Sequence, residues 1–316
     1  NANNYKERST DMKSLISLYD CSKDEIEDIL KLAIKLKADN KAGRTHHLLK
    51  GKSLGMIFTK SSTRTRVSFE VGMYQLGGQA LFLSNHDIQL GRGESIYDTA
   101  NVLSRFLDGV MIRTYAHSDV EDFAKFGTIS VINGLTDLLH PCQILADFQT
   151  IYEHKGRLEG INLAYVGDGN NISNSLLYGC SKLGVNISVA TPVGYECDAT
   201  VTERSIAEAK KVGSAVDISN DPDRAIAGAD VVITDTWVSM GQEDEKQERI
   251  KIFGGYQVSA DRMKTAADDA IFLHCLPAYR GYEVAAEVID GPQSVIFDEA
   301  ENRLHAQKAV MAMCMA

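Results

Sequence analysis

Ser53-Leu54-Gly55-Met56-Ile57-Phe58-Thr59-Lys60-Ser61-Ser62-Thr63-Arg64-Thr65-Arg66-Val67-Ser68-Phe69-Glu70-Val71-Gly72-Met73-Tyr74-Gln75-Leu76-Gly77-Gly78 is the stretch whose reading decides the fold. The apolar run 53–59 predicts a buried strand, and 67–76 a helix stopped by the glycine pair. Ser61 to Arg66 then places four hydroxyls and two guanidinium groups at a strand-to-helix turn. A helix N-terminus presents unpaired N–H groups and the positive end of the dipole, an anion site. Hydroxyl donors and a forked arginine complete a cradle for a phosphate. Taken alone, the stretch also reads as a hydroxyl-rich helix cap with two exposed arginines.

Outward from it, the same rhythm continues. Residues 11–40 read as two helices, the second opened by the capping box Ser22-Lys23-Asp24-Glu25. Strands are expected at 79–83, 109–113 and 129–133, separated by helices at 95–106 and from Ser118 to Gly127; Pro141 fits the first position of a helix reaching His154. The second half predicts strands at 161–166, 185–190, near 216, 230–234, 270–274 and 294–297. Helices are expected at 171–182, 200–211 and 222–227, with a last one at 300–315. Strands alternating with amphipathic helices imply two parallel-sheet α/β domains of similar size, divided near residue 150.

Composition excludes several classes. At 316 residues, 44% hydrophobic and 24% charged, the chain is an ordinary globular protein of about two domains. Net charge of −10 argues against nucleic acid as partner, so a bound phosphate needs a local positive cluster. No apolar run approaches the ~20 residues of a membrane span and no charged-then-apolar leader opens the chain, so no membrane association is expected. Six scattered cysteines without C-x-x-C spacing suit free thiols in a reducing cytoplasm, and no metal or cofactor is expected.

In parallel sheets ligands bind beyond the carboxyl ends of the strands. The loops there carry Ser62–Arg66, Arg113, Asn133-Gly134, Asp168–Asn171, Asp235–Met240 and His274–Pro277, with His140 a little further along. Singly, each has a plain structural reading: Arg113 in an ion pair, His140 as a cap, Gln143 solvated, Cys275 as a small apolar group, Asp235 in a turn. Gly167-Asp168-Gly169 starts like a dinucleotide loop, but Ile172 occupies the third glycine's place. The charged run 242–249 reads as a solvated helix or loop, and its place after Ser239-Met240-Gly241 also suits a hinged lid.

Together, Ser62-Thr63-Arg64-Thr65-Arg66, His140-Pro141-Cys142-Gln143, Asp235-Thr236-Trp237-Val238-Ser239-Met240-Gly241 and His274-Cys275-Leu276-Pro277 resemble the aspartate/ornithine carbamoyltransferase family. Gly169-Asn170-Asn171 and Glu299-Ala300-Glu301-Asn302-Arg303 extend the resemblance over nearly the whole chain from about residue 13. It implies a carbamoyl-phosphate-binding domain at 1–146, onto which a helix at about 300–316 packs back, and an ornithine-binding domain at 147–299. The active site then lies in the cleft between them. The implied reaction moves the carbamoyl group of carbamoyl phosphate to the side-chain amine of L-ornithine, giving citrulline and phosphate.

The resemblance implies that Ser62, Thr63, Arg64 and Thr65 hold the phosphate, and that Arg113, His140, Gln143 and Arg303 hold the carbamoyl end. Asn171, Asp235, Ser239 and Met240 receive ornithine, and Cys275 and Leu276 lie at the reacting centre. The family works as trimers, so the 84–94 loop is expected to reach a neighbour with Gln89. Cys142 and Ala278 depart from common family residues, at positions with no implied role.

Rival acceptors are aspartate, putrescine and acetylornithine; the Trp237–Gly241 segment favours an amino acid with an α-carboxylate and α-amine. From other classes come a nicotinamide-dependent dehydrogenase, which lacks its glycine at Ile172, and a non-catalytic anion-binding protein.

Overall fold

The structure, a computed structural model, describes residues 12–239 and 241–316. The chain folds as two compact units, Asn1–Thr136 with Leu304–Ala316, and Asp137–Arg303. Each is built on one parallel sheet.

In the first unit, α1 (Lys23–Lys41) opens in the expected capping box: Ser22 Oγ accepts from Glu25 N while the Glu25 carboxylate accepts from Ser22 N. There follow β1 (Ser53–Phe58), α2 (Thr63–Gln75), β2 (Gln79–Ser84), α3 (Ile96–Leu103), β3 (Gly109–Arg113), α4 (His117–Phe126) and β4 (Ser130–Leu135). The strands lie side by side as β2-β1-β3-β4, all parallel. Helices cover the inner strands, which is why β1 and β3 read as unbroken apolar runs rather than alternating ones. Ile57, Val110, Ile112 and Val131 pack there against Ala100, Val120 and Phe123 from the helices.

One expected helix is absent. Residues 12–22 hold only a 3₁₀ turn, Leu18–Asp20, because Leu15 N donates to Val131 O and Asn133 N to Leu15 O. The backbone there is committed to β4 rather than to a helix.

The second unit contains α5 (Pro141–Lys155), β5 (Asn162–Val166), α6 (Asn171–Leu183), β6 (Asn186–Ala190), α7 (Ala199–Val212), β7 (Val216–Ser219), α8 (Pro222–Ile226) and β8 (Val231–Thr234). After these come α9 (Lys246–Phe253), α10 (Ala260–Met263), β9 (Ile271–His274), α11 (Ala286–Ile289) and α12 (Ile296–Met315), whose residues from Leu304 onward belong to the first unit. The sheet order is β7-β6-β5-β8-β9, again parallel throughout. The strand expected at 294–297 is instead a single bridge from Ser294 to Phe272, followed at once by α12. Val295 O accepts from Glu299 N, a helical bond, so the short apolar run turns rather than extends.

In both sheets the order of strand addition reverses at the first strand. The chain runs outward from β1 to β2 and returns to place β3 on the other side; likewise it runs β5-β6-β7 and returns to place β8. The two crevices this makes, β1/β3 and β5/β8, are where the loops with chemistry lie.

Candidate functional site

At the β1/β3 crevice, α2 begins four residues earlier than expected, at Thr63, because Ser62 caps it. Ser62 Oγ accepts from Thr65 N at 3.2 Å and bonds Thr65 Oγ1 at 3.1 Å. Arg113 closes β3 directly beside Phe58, and its carbonyl takes bonds from both Thr59 N and Thr59 Oγ1, each at 2.9 Å. Thr65 and Arg113 are buried, Ser62 and Arg64 half-buried, Thr63 exposed. The two arginines of the turn differ. Arg66 bonds Glu70 at 3.3 Å and lies 3.8 Å from the centroid of the Phe82 ring, so its charge is committed to the helix surface. Buried Lys60 sits just before the turn with Nζ 4.1 Å from the Tyr115 ring centroid, a cation that the motifs do not include. Gln89 is exposed at the start of a 3₁₀ turn (Gln89–Arg92) beyond the outer strand β2.

His140 occupies the N-cap position of α5 with φ −137° and ψ 65°, and Pro141 starts the helix. Its N–H donates to Ser175 Oγ at 2.8 Å, tying the cap to α6. Three residues on, Gln143 is almost fully buried and both its amide hydrogens are taken. Nε2 donates to Asp147 Oδ1 (2.8 Å) and Glu299 Oε1 (3.0 Å), and Oε1 accepts from Arg303 Nη1 (2.7 Å). Asp147 and Glu299 are as buried as Gln143. Burial pushes the Asp147 carboxyl up to about 7 and that of Glu299 well above its ordinary range. Cys142 is fully enclosed, and burial raises its thiol to about 12 against the pull of Arg303, so it is inert.

The β5/β8 crevice gathers the remaining residues. Asn170 caps α6, its Oδ1 accepting from Ile172 N and Ser173 N, while its Nδ2 donates to Asp235 Oδ2 at 2.8 Å. Asn171 is the first residue of that helix. Asp235 also accepts from Thr236 N at 2.8 Å and from Cys275 Sγ at 3.1 Å. Burial, then the Asp235 charge, raises the Cys275 thiol well above its ordinary value, so it stays protonated. Leu276 has φ 58°, strained for a side chain with a Cβ, and its N–H donates to His274 Nδ1 at 3.0 Å. Asp235, His274 and Cys275 offer donor atoms within 4.8 Å of one another. Both His274 ring nitrogens are already engaged, Nδ1 by Leu276 and Nε2 by Glu283 at 3.1 Å, so the trio is a braced turn rather than an open ligand set. Ser239 is half-buried, its N–H bonded to Gln242 Oε1 at 3.0 Å; Met240 lies outside the described residues.

Arg249, on α9, stands out in the sequence only as part of a charged run. It is buried, with Nη1 donating to Asp168 Oδ2 (2.8 Å) and Trp237 O (2.9 Å) and Nε to Glu245 (2.9 Å). One guanidinium thus joins the loop after β5 to the loop after β8. Trp237 stacks on Phe253 and Tyr282, with ring centroids 5.9 and 6.4 Å away.

Each unit therefore assembles its own set: the Ser62–Thr65 turn beside Arg113 in the first, and His140, Gln143, Arg303, Asn171, Asp235, Ser239, Cys275 and Leu276 in the second. Comparison with known proteins matches residues 13–153 to the carbamoyl-P binding domain of aspartate/ornithine carbamoyltransferase and residues 159–314 to its Asp/Orn binding domain. The chain is 61% identical over 300 residues to an ornithine carbamoyltransferase of Caldicellulosiruptor saccharolyticus, covering 95% of this chain and 97% of that one. It is 54% identical over 303 residues to the anabolic ornithine carbamoyltransferase of Pyrococcus furiosus, covering 96% of each. A solved ornithine carbamoyltransferase structure from Pyrococcus furiosus superposes with a TM-score of 0.95 at 53% identity, covering 98% of both chains.

Proposed function

The chain belongs to the aspartate/ornithine carbamoyltransferase family, and from that we propose how its residues divide the work of the reaction. The reaction transfers the carbamoyl group of carbamoyl phosphate to the side-chain amine of L-ornithine, giving L-citrulline and phosphate.

We assign carbamoyl phosphate to residues 1–146, with the terminal helix at about 300–316 packed against them, and ornithine to 147–299. Ser62, Thr63, Arg64 and Thr65 hold the phosphate at the N-terminus of α2. Arg113, His140, Gln143, Cys275, Leu276 and Arg303 receive the carbamoyl end, and Gln89 contributes from a neighbouring subunit. Asn171, Asp235, Ser239 and Met240 hold ornithine. The observation that carries the reading is the Ser62-capped helix start set beside Arg113 at the β1/β3 crevice. A capped helix start at a strand-end crevice, with the positive end of its dipole, is the kind of place where an anion binds.

Attack of the amine on the carbonyl carbon puts charge on the carbonyl oxygen, which Thr65, Arg113 and His140 stabilise; Arg64 and the helix start receive the departing phosphate. A lysine-like amine with a pKa of ~10.4 costs roughly 4–5 kcal/mol to deprotonate at pH 7. Asp235 anchors the α-ammonium of ornithine, leaving the side-chain amine free to attack. Cys275 assists as a protonated thiol and is not a covalent nucleophile, since phosphate is already the leaving group and the thiol is held uncharged.

The relative named anabolic supports a place in arginine biosynthesis. Free cysteines support a cytoplasmic location. Exposed Val67, Val71 and Tyr74, one face of α2, together with Leu81 and Phe82 on outer strand β2, support a homotrimer that covers them. Among the described residues no helix is long and apolar enough to cross a membrane.

Turnover of carbamoyl phosphate with ornithine, acetylornithine, putrescine and aspartate tests the reading directly. Citrulline from ornithine is expected, and a trimer giving none at any pH would sink it.

A further inference from the structure

Gln143 and Arg303 are assigned above to the carbamoyl end, yet what holds them is a pair of carboxyl groups with no assigned role. Asp147 lies one turn beyond Gln143 on the same face of α5, and Glu299 opens α12. Gln143 Nε2 reaches both, at 2.8 and 3.0 Å, so the two carboxyl groups meet at one amide nitrogen. Glu299 takes a further bond from His274 N at 2.8 Å, the residue before Cys275. All four side chains, Gln143, Asp147, Glu299 and Arg303, are at most 3% exposed.

Two buried carboxyl groups that meet at one amide beside a single arginine escape like-charge repulsion when one of them carries a proton. We propose that Asp147 and Glu299 share a single proton, and that the shared proton is a positioning device which sets the enzyme's affinity for carbamoyl phosphate. This rests on the roles given to Gln143 and Arg303. With one proton the pair carries one negative charge, which balances Arg303. Without it, the buried cluster has a net negative charge beside a site that must take an anion, and the carboxylates repel. The amide of Gln143 points the same way. Both its N–H bonds are committed to carboxyl oxygens, so Oε1 is turned towards Arg303 with a lone pair left to accept from the carbamoyl –NH₂.

Among the described residues, the charged and titratable groups facing the pair are Arg303 on α12, with Cys142 of α5 beside it, Cys180 on α6, Asp235 after β8 and Cys275 after β9. The three thiols are raised by burial and stay neutral, and Asp235 and Arg303 oppose one another at the pair. Burial raises both carboxyl groups, in keeping with a proton retained at neutral pH.

Two measurements test this. Infrared difference spectra of the whole enzyme, in H₂O and D₂O, should show a protonated-carboxyl stretch at neutral pH that vanishes in Glu299→Gln, since Asp147 then ionises beside Arg303. A wild-type spectrum without that band overturns the shared proton whether or not the variants fold. In kinetics, the wild-type KM for carbamoyl phosphate should climb on the alkaline side by up to about tenfold per pH unit, the limit for one linked proton. Glu299→Gln should flatten that climb while the ornithine KM of the two enzymes stays parallel. Identical carbamoyl phosphate profiles for both overturn the positioning role. If the band behaves as expected but Gln143→Ala and Arg303→Met each leave the carbamoyl phosphate KM within twofold, the assigned roles of Gln143 and Arg303 fail, and the positioning role with them.

Discussion

Cys275 Sγ lies 3.1 Å from Asp235 Oδ1 and donates its proton to it. The bond joins the turn after β9 to the loop after β8, and it holds the thiol in its protonated form. A thiolate at this place would face the carboxylate at contact distance in a buried site, which is why burial and then Asp235 raise the thiol. The consequence is chemical: Cys275 is a donor and spacer, not an activated nucleophile.

Cys275→Ser keeps a donor of similar shape, so kcat should fall by no more than about tenfold. Loss of a covalent nucleophile would instead cost on the order of 10⁴-fold or more. Steady-state citrulline formation separates the two. Iodoacetamide should modify the native enzyme slowly at pH 7 for the same reason.

Arg64 and Arg66 are two residues apart and should behave differently. Arg64→Ala should raise the carbamoyl phosphate KM by at least tenfold, about 1.4 kcal/mol, with the ornithine KM little changed. Arg66 is occupied by Glu70 and Phe82, so Arg66→Ala should leave both KM values within about twofold. An Arg64→Ala enzyme with carbamoyl phosphate KM inside twofold would remove the cradle assignment.

Arg249 bridges Asp168 and Trp237 O, and Trp237 is the chain's single tryptophan, so its fluorescence reads the loop after β8, to which ornithine is assigned. Arg249→Gln leaves the Asp168 carboxylate, already raised by burial, without its cation. Breaking such a buried pair costs about 3–5 kcal/mol. The expected result is a red-shifted, weakened Trp237 emission and an ornithine KM at least tenfold higher, with carbamoyl phosphate KM within twofold. Unchanged emission together with an unchanged ornithine KM would show that the loop stands without Arg249.

The attacking amine sets a pH dependence of its own. Below its pKa of ~10.4 the neutral fraction rises about tenfold per pH unit, so kcat/KM for ornithine should increase from pH 7 towards 8–9. A pH–rate profile flat over that range would place the rate-limiting step elsewhere.

Much of the fold is legible in the sequence, for identifiable reasons. β1, β3, β5 and β8 are inner strands covered on both faces, so they appear as apolar runs bounded by turn residues. The Ser62–Arg66 turn is legible because its hydroxyls and arginines are consecutive. Residues 12–22 mislead because the Leu15 backbone is claimed by distant β4, and 294–297 because a short apolar run does not declare its period. The partners of Gln143 and Arg249 are hidden for a different reason. Glu299 is 156 residues from Gln143 and Asp168 is 81 from Arg249, and a charged side chain's burial is not written in its neighbours.

Lys308 offers a last test, on stability rather than catalysis. It is fully buried on α12, with Nζ 2.8 Å from Gln75 Oε1. Burial lowers its pKa from 10.5 to about 8, with Asp39 pulling the other way. Because the folded pKa is depressed, the unfolded chain binds more protons between about pH 8 and 10.5, and Lys308's contribution to stability grows as pH rises through that window. It is fully present above 10.5 and lost as pH falls through about 8, where the buried amine must carry its charge. Lys308→Met removes the charge, and half-exposed Gln75 can turn to water. Denaturant unfolding at pH 7 and pH 10 should therefore show the wild type gaining on the variant at the higher pH. An equal gap between the two proteins at both pH values would mean that burial does not penalise the charged amine.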